Sequence, residues 1–136
     1  MQARRAFLRL GLGGAVAAMT AARAALGTGP APQAAGPGLR LLMVRRRGCA
    51  WCALWDREIA PVYRDHPEGR AAPLVMVDAD GPFPDGLALD RIPWLTPSFI
   101  LLRDGIEIAR IEGYPGARDF FPALARMQRA AAPAGG

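Results

Sequence analysis

The sequence predicts an α/β fold, a mixed sheet of about four strands flanked by helices. Three observations carry this reading. Apolar runs of strand length recur at Leu39–Val44, Leu74–Val77 and Ser98–Leu102. Segments with helical spacing of apolar residues follow the first run and close the chain. Asp104-Gly105, between two apolar stretches, marks a hairpin.

Each element follows in order. Leu39–Val44 is too short to compete as a helix. From Ala50 to about Arg64 a helix is expected, with Leu54, Ile59 and Val62 apolar and Asp56, Arg57 and Glu58 polar. Pro61 should kink it or end its first part. Leu74–Val77 is closed by the turn cluster Asp78-Ala79-Asp80-Gly81-Pro82. Residues 81–97 hold Pro82, Pro84, Pro93 and Pro97, so a loop is expected, with one short helical turn near Leu87–Asp90. After the strand Ser98–Leu102 and its turn, Ile106, Ile108 and Ile111 form the partner strand, with Glu107 and Arg110 between the apolar positions. Gly113 to Gly116 breaks the chain. Arg118 to about Ala130 is an amphipathic helix carrying Phe120, Phe121, Leu124 and Met127, with Asp119 in its first turn. A parallel pair joined by a helical crossover, with an antiparallel hairpin added, makes the sheet mixed.

The first 24 residues read as an export signal. Arg4-Arg5-Ala6-Phe7-Leu8 is a twin arginine before an apolar pair, Leu10 to about Ala22 is weakly apolar, and Ala22-Arg23-Ala24 offers a small-x-small cleavage site. The apolar stretch, Gly- and Ala-rich, falls short of the roughly 20 residues that span a bilayer, so no stable membrane association is expected. Residues 25–38 are expected to be a flexible leader, 39–130 the single folded domain, and 131–136 a disordered tail.

Charge argues against one class of partner. The chain carries +5, from 17 basic residues, all arginine, and 12 acids. Arg4, Arg5, Arg9 and Arg23 lie in the signal, which has no acid; without them 13 arginines face 12 acids, a balance of +1. No basic stripe interleaved with aromatics remains, and nucleic acid is not an expected partner.

Chemistry concentrates at Cys49-Ala50-Trp51-Cys52, which contains the only two cysteines. A thiol pair three positions apart, where a strand enters a helix, can cycle between dithiol and disulfide, and the helix N-terminus favours the thiolate of the first. Cys49, at the helix entrance, is the candidate nucleophile, and Cys52, one turn deeper, the resolving thiol. Arg45-Arg46-Arg47 adds positive potential that would lower the Cys49 pKa, or is simply a solvated basic loop. Asp56, four residues beyond Cys52, is a candidate proton acceptor or a surface carboxylate paired with an arginine such as Arg57 or Arg64. Trp51 is a candidate flat contact for a partner; Trp55 and Trp94 are assigned no role. Cys49, Cys52 and His66 fall short of a closed tetrahedral metal set, and no metal is expected. A copper chaperone using the reduced pair stays as an alternative of another class. A purely structural disulfide of this span closes almost no loop and would stabilise little.

With these motifs in this order, Leu39 to about Arg129 resembles the thioredoxin superfamily. Thr96-Pro97 leads into the third strand where that family places a cis-proline facing the active site, and Gly113 matches a small residue after the last strand. The resemblance implies substrate contact by Thr96 and Pro97. Narrower likeness, carried by Cys49–Glu58, Thr96–Ile100 and Arg110–Gly116, is to the periplasmic thioredoxins of bacterial sulfur-oxidation (Sox) systems. It implies a periplasmic thiol–disulfide oxidoreductase, a monomer without cofactor, exported by the twin-arginine route. Such a reductase would keep a partner's cysteine reduced, the Sox carrier protein being the candidate client, with electrons from a membrane thiol transporter. A thioredoxin of cytochrome c maturation is the alternative. Two departures stand out: the family's buried Asp six positions before the first cysteine is Met43 here, and the usual Gly-Pro between the cysteines is Ala50-Trp51.

Overall fold

The computed structural model describes residues 33–133. The expected signal (1–24), the leader up to residue 32 and the last three residues lie outside the described part. Eight elements follow in chain order: β1 (Leu39–Arg45), α1 (Ala50–Glu58), α2 (Ala60–Tyr63), α3 (Pro67–Ala71), β2 (Leu74–Asp78), β3 (Ser98–Arg103), β4 (Ile106–Glu112) and α4 (Ala117–Ala130). The sheet order is β2-β1-β3-β4; β1 and β2 are parallel, and the other pairs antiparallel.

Alternation along β1 and β3 divides the core in two. Leu41, Met43, Phe99 and Leu101 point to one face, where Cys52, Trp55 and Ile59 of the first helical segment and Phe120, Leu124 and Met127 of α4 close over them. Trp55 is fully buried at the centre of this layer, its ring 5.8 Å from Phe99 and 5.9 Å from Phe120. Leu42, Val44, Ile100 and Leu102 point to the other face. No helix covers that face among the described residues; Phe83, Leu87 and Leu89 of the proline-rich loop do so, with Ala34.

The helical segment breaks at Ile59, just before Pro61, as the proline requires. Asp104 (φ 52°) and Gly105 (φ 82°) are both left-handed, as a two-residue hairpin demands. Gly105 has a second constraint: a Cβ there would lie 2.7 Å from the Gly86 carbonyl oxygen.

Four expectations need correction. Leu87–Asp90 forms no helical turn. Ala88 instead bridges to the β4 edge, donating its N–H to Gly105 O (2.9 Å) and accepting from Glu107 N (2.8 Å), because the edge strand offers backbone groups that must be paired. The alternation in β4 is reversed, with Ile106 and Ile108 exposed and Glu107 buried. A register shift between Leu101 and Leu102 inserts Ile108 as an extra residue and turns Glu107 toward the loop-covered face. The leader's last residues, 33–38, belong to the folded body. Ala34 is buried, Gly38 N–H donates to Asp104 Oδ1 (2.6 Å), and Asp104 N–H donates back to Gly38 O (3.0 Å). Finally, no helix is expected between Arg64 and Leu74, but α3 begins there at Pro67, with His66 as its N-cap residue stacked on Phe121 at 3.5 Å.

Candidate redox site

Strand register brings the site residues to one end of the sheet. Val44 near the end of β1 pairs with Ser98 at the start of β3, and Ser98 pairs with Glu112 at the end of β4. The turn carrying Cys49, the Thr96-Pro97 segment and Gly113 therefore emerge at the same edge.

Cys49 and Cys52 are joined as a disulfide, with Cα atoms 5.2 Å apart. Cys49 is the N-cap of α1, and its Sγ accepts the Cys52 N–H at 3.1 Å. That geometry aims an otherwise orphaned helix-terminal donor at the sulfur, where negative charge would develop on reduction. Cys49 is half-buried, while Cys52 is fully enclosed in the core with Trp55. Trp51, between the two cysteines in the first turn of α1, is 60% exposed. The two sulfurs thus differ in access, one reachable and one behind it.

The Thr96–Pro97 peptide is cis. Two bonds brace this corner from below: buried Ser98 donates its Oγ–H to Leu95 O (2.6 Å), and Gly113 N–H donates to Pro97 O (2.8 Å). Gly113 adopts φ 89°, and a Cβ there would lie 3.5 Å from Leu95 Cδ2. Upstream, the loop carries two exposed apolar side chains, Ile92 and Trp94.

An ionic clamp not anticipated from sequence fixes that loop. Glu107 Oε1 accepts from Arg110 Nε (2.5 Å), and its Oε2 accepts from Arg110 Nη2 (2.6 Å) and from Asp90 N (2.9 Å). Arg110 also donates to Arg91 O, and Arg91 donates to Glu112. Burial pushes the Glu107 carboxyl up, but Arg110 and the Asp90 N–H outweigh it and hold the group below the usual carboxylate range.

The three arginines before Cys49 are not equivalent. Arg45 binds Asp56 bidentately (2.8 and 2.6 Å), and Arg46 binds Asp80 (2.8 and 2.9 Å). Arg47 has no ion-pair partner among the described residues. The Arg45 bond holds Asp56 below the ordinary Asp range, which makes it a weaker base than a free carboxylate. The partner of Asp56 is thus neither Arg57 nor Arg64. No hydrogen bond joins Asp56 to either cysteine among the described residues. Met43, standing where the resemblance implies an Asp, is fully buried in the same cluster as Cys52. Trp55 Nε1 is a buried donor with no partner in this layer. A groove of about 590 Å³ opens beside Cys49, lined by Arg45–Ala50, Ala53 and Met76–Asp78. The described residues contain no cluster of three metal-ligating side chains, and no described helix is long and apolar enough to cross a membrane.

No family model matches the chain, and no curated protein does. Solved structures do match. The periplasmic thioredoxin SoxS from Paracoccus pantotrophus, in its reduced form, is 48% identical with a TM-score of 0.67, over 68% of this chain and 98% of that one. Thioredoxin from Fasciola hepatica is 16% identical (TM-score 0.47; 68% and 84% covered), and the malaria parasite's thioredoxin-2 is 20% identical (TM-score 0.49; 65% and 82% covered). On the strength of the first match and the Cys49–Cys52 pair, the chain belongs to the thioredoxin superfamily and, within it, to the SoxS-like thioredoxins, and it is a thiol–disulfide oxidoreductase.

Proposed function

We propose that the protein is a periplasmic reductase that keeps a client protein's cysteine reduced, the carrier protein of a sulfur-oxidation system being the candidate client. The observation that carries this is the asymmetry of the disulfide: Cys49 at the rim, its Sγ met by a helix N–H, and Cys52 with no exposed surface. Reduced Cys49 attacks the client disulfide or modified cysteine as the thiolate, forming a mixed disulfide. Cys52 then attacks Cys49 Sγ, releasing the client thiol and restoring the intramolecular bond. Thr96 and Pro97 hold the client backbone beside Cys49, and Trp51 gives a flat apolar contact. Arg47 favours the Cys49 thiolate more than Arg45 or Arg46, whose charges are matched by carboxylates.

Export by the twin-arginine route, as the first 24 residues suggest, would place the protein among disulfides, so a membrane thiol transporter must return its electrons. The protein would act as a monomer, without cofactor or stable membrane association. Similarity to a periplasmic SoxS supports the sulfur-oxidation reading over cytochrome c maturation or a copper-chaperone role.

The test mixes the reduced protein with the oxidised carrier protein and follows carrier thiols by alkylation and mass. Stoichiometric reduction, abolished by Cys49→Ser, is the expected outcome. No transfer to the carrier, with ordinary transfer to a cytochrome c maturation apoprotein disulfide, would assign the alternative role.

A further inference from the structure

The buried layer around Cys52 holds one polar atom that packing alone does not account for. Trp55 is fully enclosed, and its Nε1–H has no acceptor among the described residues. A buried donor left unpaired has given up its hydrogen bond to water and destabilises the state that contains it. The rest of the layer is poor in partners. Its buried members include no carboxylate and no guanidinium; its one hydroxyl, on Tyr63, already donates to Ala72 O (2.6 Å), and its remaining heteroatoms are the sulfurs of Met43, Met127 and Cys52. Trp55 follows Cys52 by three positions on the buried face of α1, and Cβ atoms at that spacing lie roughly 5–6 Å apart. A long helical side chain leans toward the helix N-terminus and covers the residue one turn earlier. On the buried face of α1 that residue is Cys52. In the disulfide Nε1–H makes no bond to its sulfur. Reduction changes the acceptor: Cys52 Sγ is released from Cys49, free to turn about χ1, and as a thiolate it attracts a donor far more strongly.

We propose that Trp55 Nε1–H is the hydrogen-bond donor to the Cys52 sulfur, unpaired in the disulfide and paired once that bond is broken. This rests on the dithiol–disulfide cycle described above and adds a residue that acts on the resolving sulfur. No base stands ready in the layer: Met43 occupies the position where the resemblance implies an Asp, and Asp56 is tied to Arg45. A donor that stabilises the Cys52 thiolate takes the place of a base that would create it, and a buried N–H on an anionic sulfur makes a charge-assisted bond. At resolution Cys52 loses its proton to solvent and its thiolate attacks Cys49 Sγ. The bond from Cys49 to the client breaks, and the electron pair leaves on the client sulfur. Trp55 contributes a hydrogen bond and transfers no proton. Because the donor is satisfied only in the reduced protein, it favours the dithiol and makes the protein a milder reductant than the same site without it.

The test follows the indole N–H signals of the full chain by NMR in the disulfide and dithiol states. Trp51→Phe and Trp94→Phe identify the two exposed indoles, which leaves the signal of Trp55. That signal should move downfield on reduction. It should stay downfield in reduced Cys49→Ala, which keeps the Cys52 sulfur, and revert in Cys52→Ala, which removes it. A second measurement uses a glutathione buffer, in which two glutathione thiols are oxidised to one disulfide for each protein disulfide reduced. There Trp55→Phe should shift the equilibrium toward the protein disulfide by about 10-fold, equivalent to ~30 mV. Phe120→Leu, which disturbs the same layer but removes no donor, should leave the equilibrium unchanged. A Trp55 signal that does not move on reduction, one that moves equally in both cysteine variants, or a bound-water contact at Nε1–H in both redox states overturns the proposal. So does an unchanged equilibrium in folded Trp55→Phe. A wild type that never equilibrates with glutathione fails the thiol-exchange reading itself.

Discussion

Replacing Glu107 by Gln removes one charge from a side chain with 2% exposure and leaves Arg110, itself 10% exposed, paired only with Glu112 at 3.1 Å. Three hydrogen bonds converge on the carboxylate, two from Arg110 and one from Asp90 N–H. A glutamine offers one acceptor oxygen and sets an NH2 group against a donor. Breaking a buried pair on one side costs about 3 kcal/mol, toward the lower end of the usual range because Glu112 remains. For a domain of about 100 residues this is a fall in Tm of roughly 12–24 °C. The pH dependence is specific. The folded carboxyl titrates below its ordinary value, so its stabilisation is fully present above about pH 4.5 and is lost as pH falls through the folded pKa. Denaturant melts of wild type and Glu107→Gln should therefore stay separated from pH 5 to 8 and converge in acid. The clamp also holds Asp90 and Arg91, which lead to Thr96-Pro97, so client reduction should slow in the folded variant while alkylation of Cys49 does not. A cost below about 1 kcal/mol, or a gap as wide at pH 3.5 as at pH 7, would refute the reasoning.

Two further outcomes follow from the same contacts. Ser98→Ala removes the part-buried hydrogen bond to the Leu95 carbonyl and should cost about 1 kcal/mol in a urea melt, with client reduction slowed because the Thr96-Pro97 corner loses a brace. Asp56→Asn should leave the rate at which Cys52 resolves a mixed disulfide unchanged across pH, since Arg45 already occupies that carboxylate, and should cost only about 0.5 kcal/mol for a half-exposed pair; a pH-dependent loss of resolution would restore Asp56 as the proton acceptor.

Local signals were legible where local physics decides. The strand runs, the break before Pro61, the Asp104-Gly105 hairpin and the α4 face all follow from propensity and periodicity within a few residues. Glu107 was not legible, because a single inserted residue opposite Leu101 and Leu102 exchanges the faces of β4. Nor were the partners of Arg45 and Arg46, which lie 11 and 34 positions away and meet only once β1, α1 and the β2 turn are packed. The proline-rich loop could be read as irregular, but not as the cover of a whole sheet face. At the site, the cysteine spacing identified the chemistry. The order of access, Cys49 at the helix entrance and Cys52 one turn deeper, could be expected from their positions; the complete enclosure of Cys52 among residues of α4 and β3 came only with the packing.

The most direct test places one equivalent of a disulfide client against the reduced Cys52→Ser and Cys49→Ser variants and reads the products by intact mass. The expected result is a stable mixed disulfide through Cys49 in Cys52→Ser and almost none in Cys49→Ser. Equal adducts in both variants, or an adduct only through Cys52, would contradict the division of labour between the exposed and the enclosed sulfur.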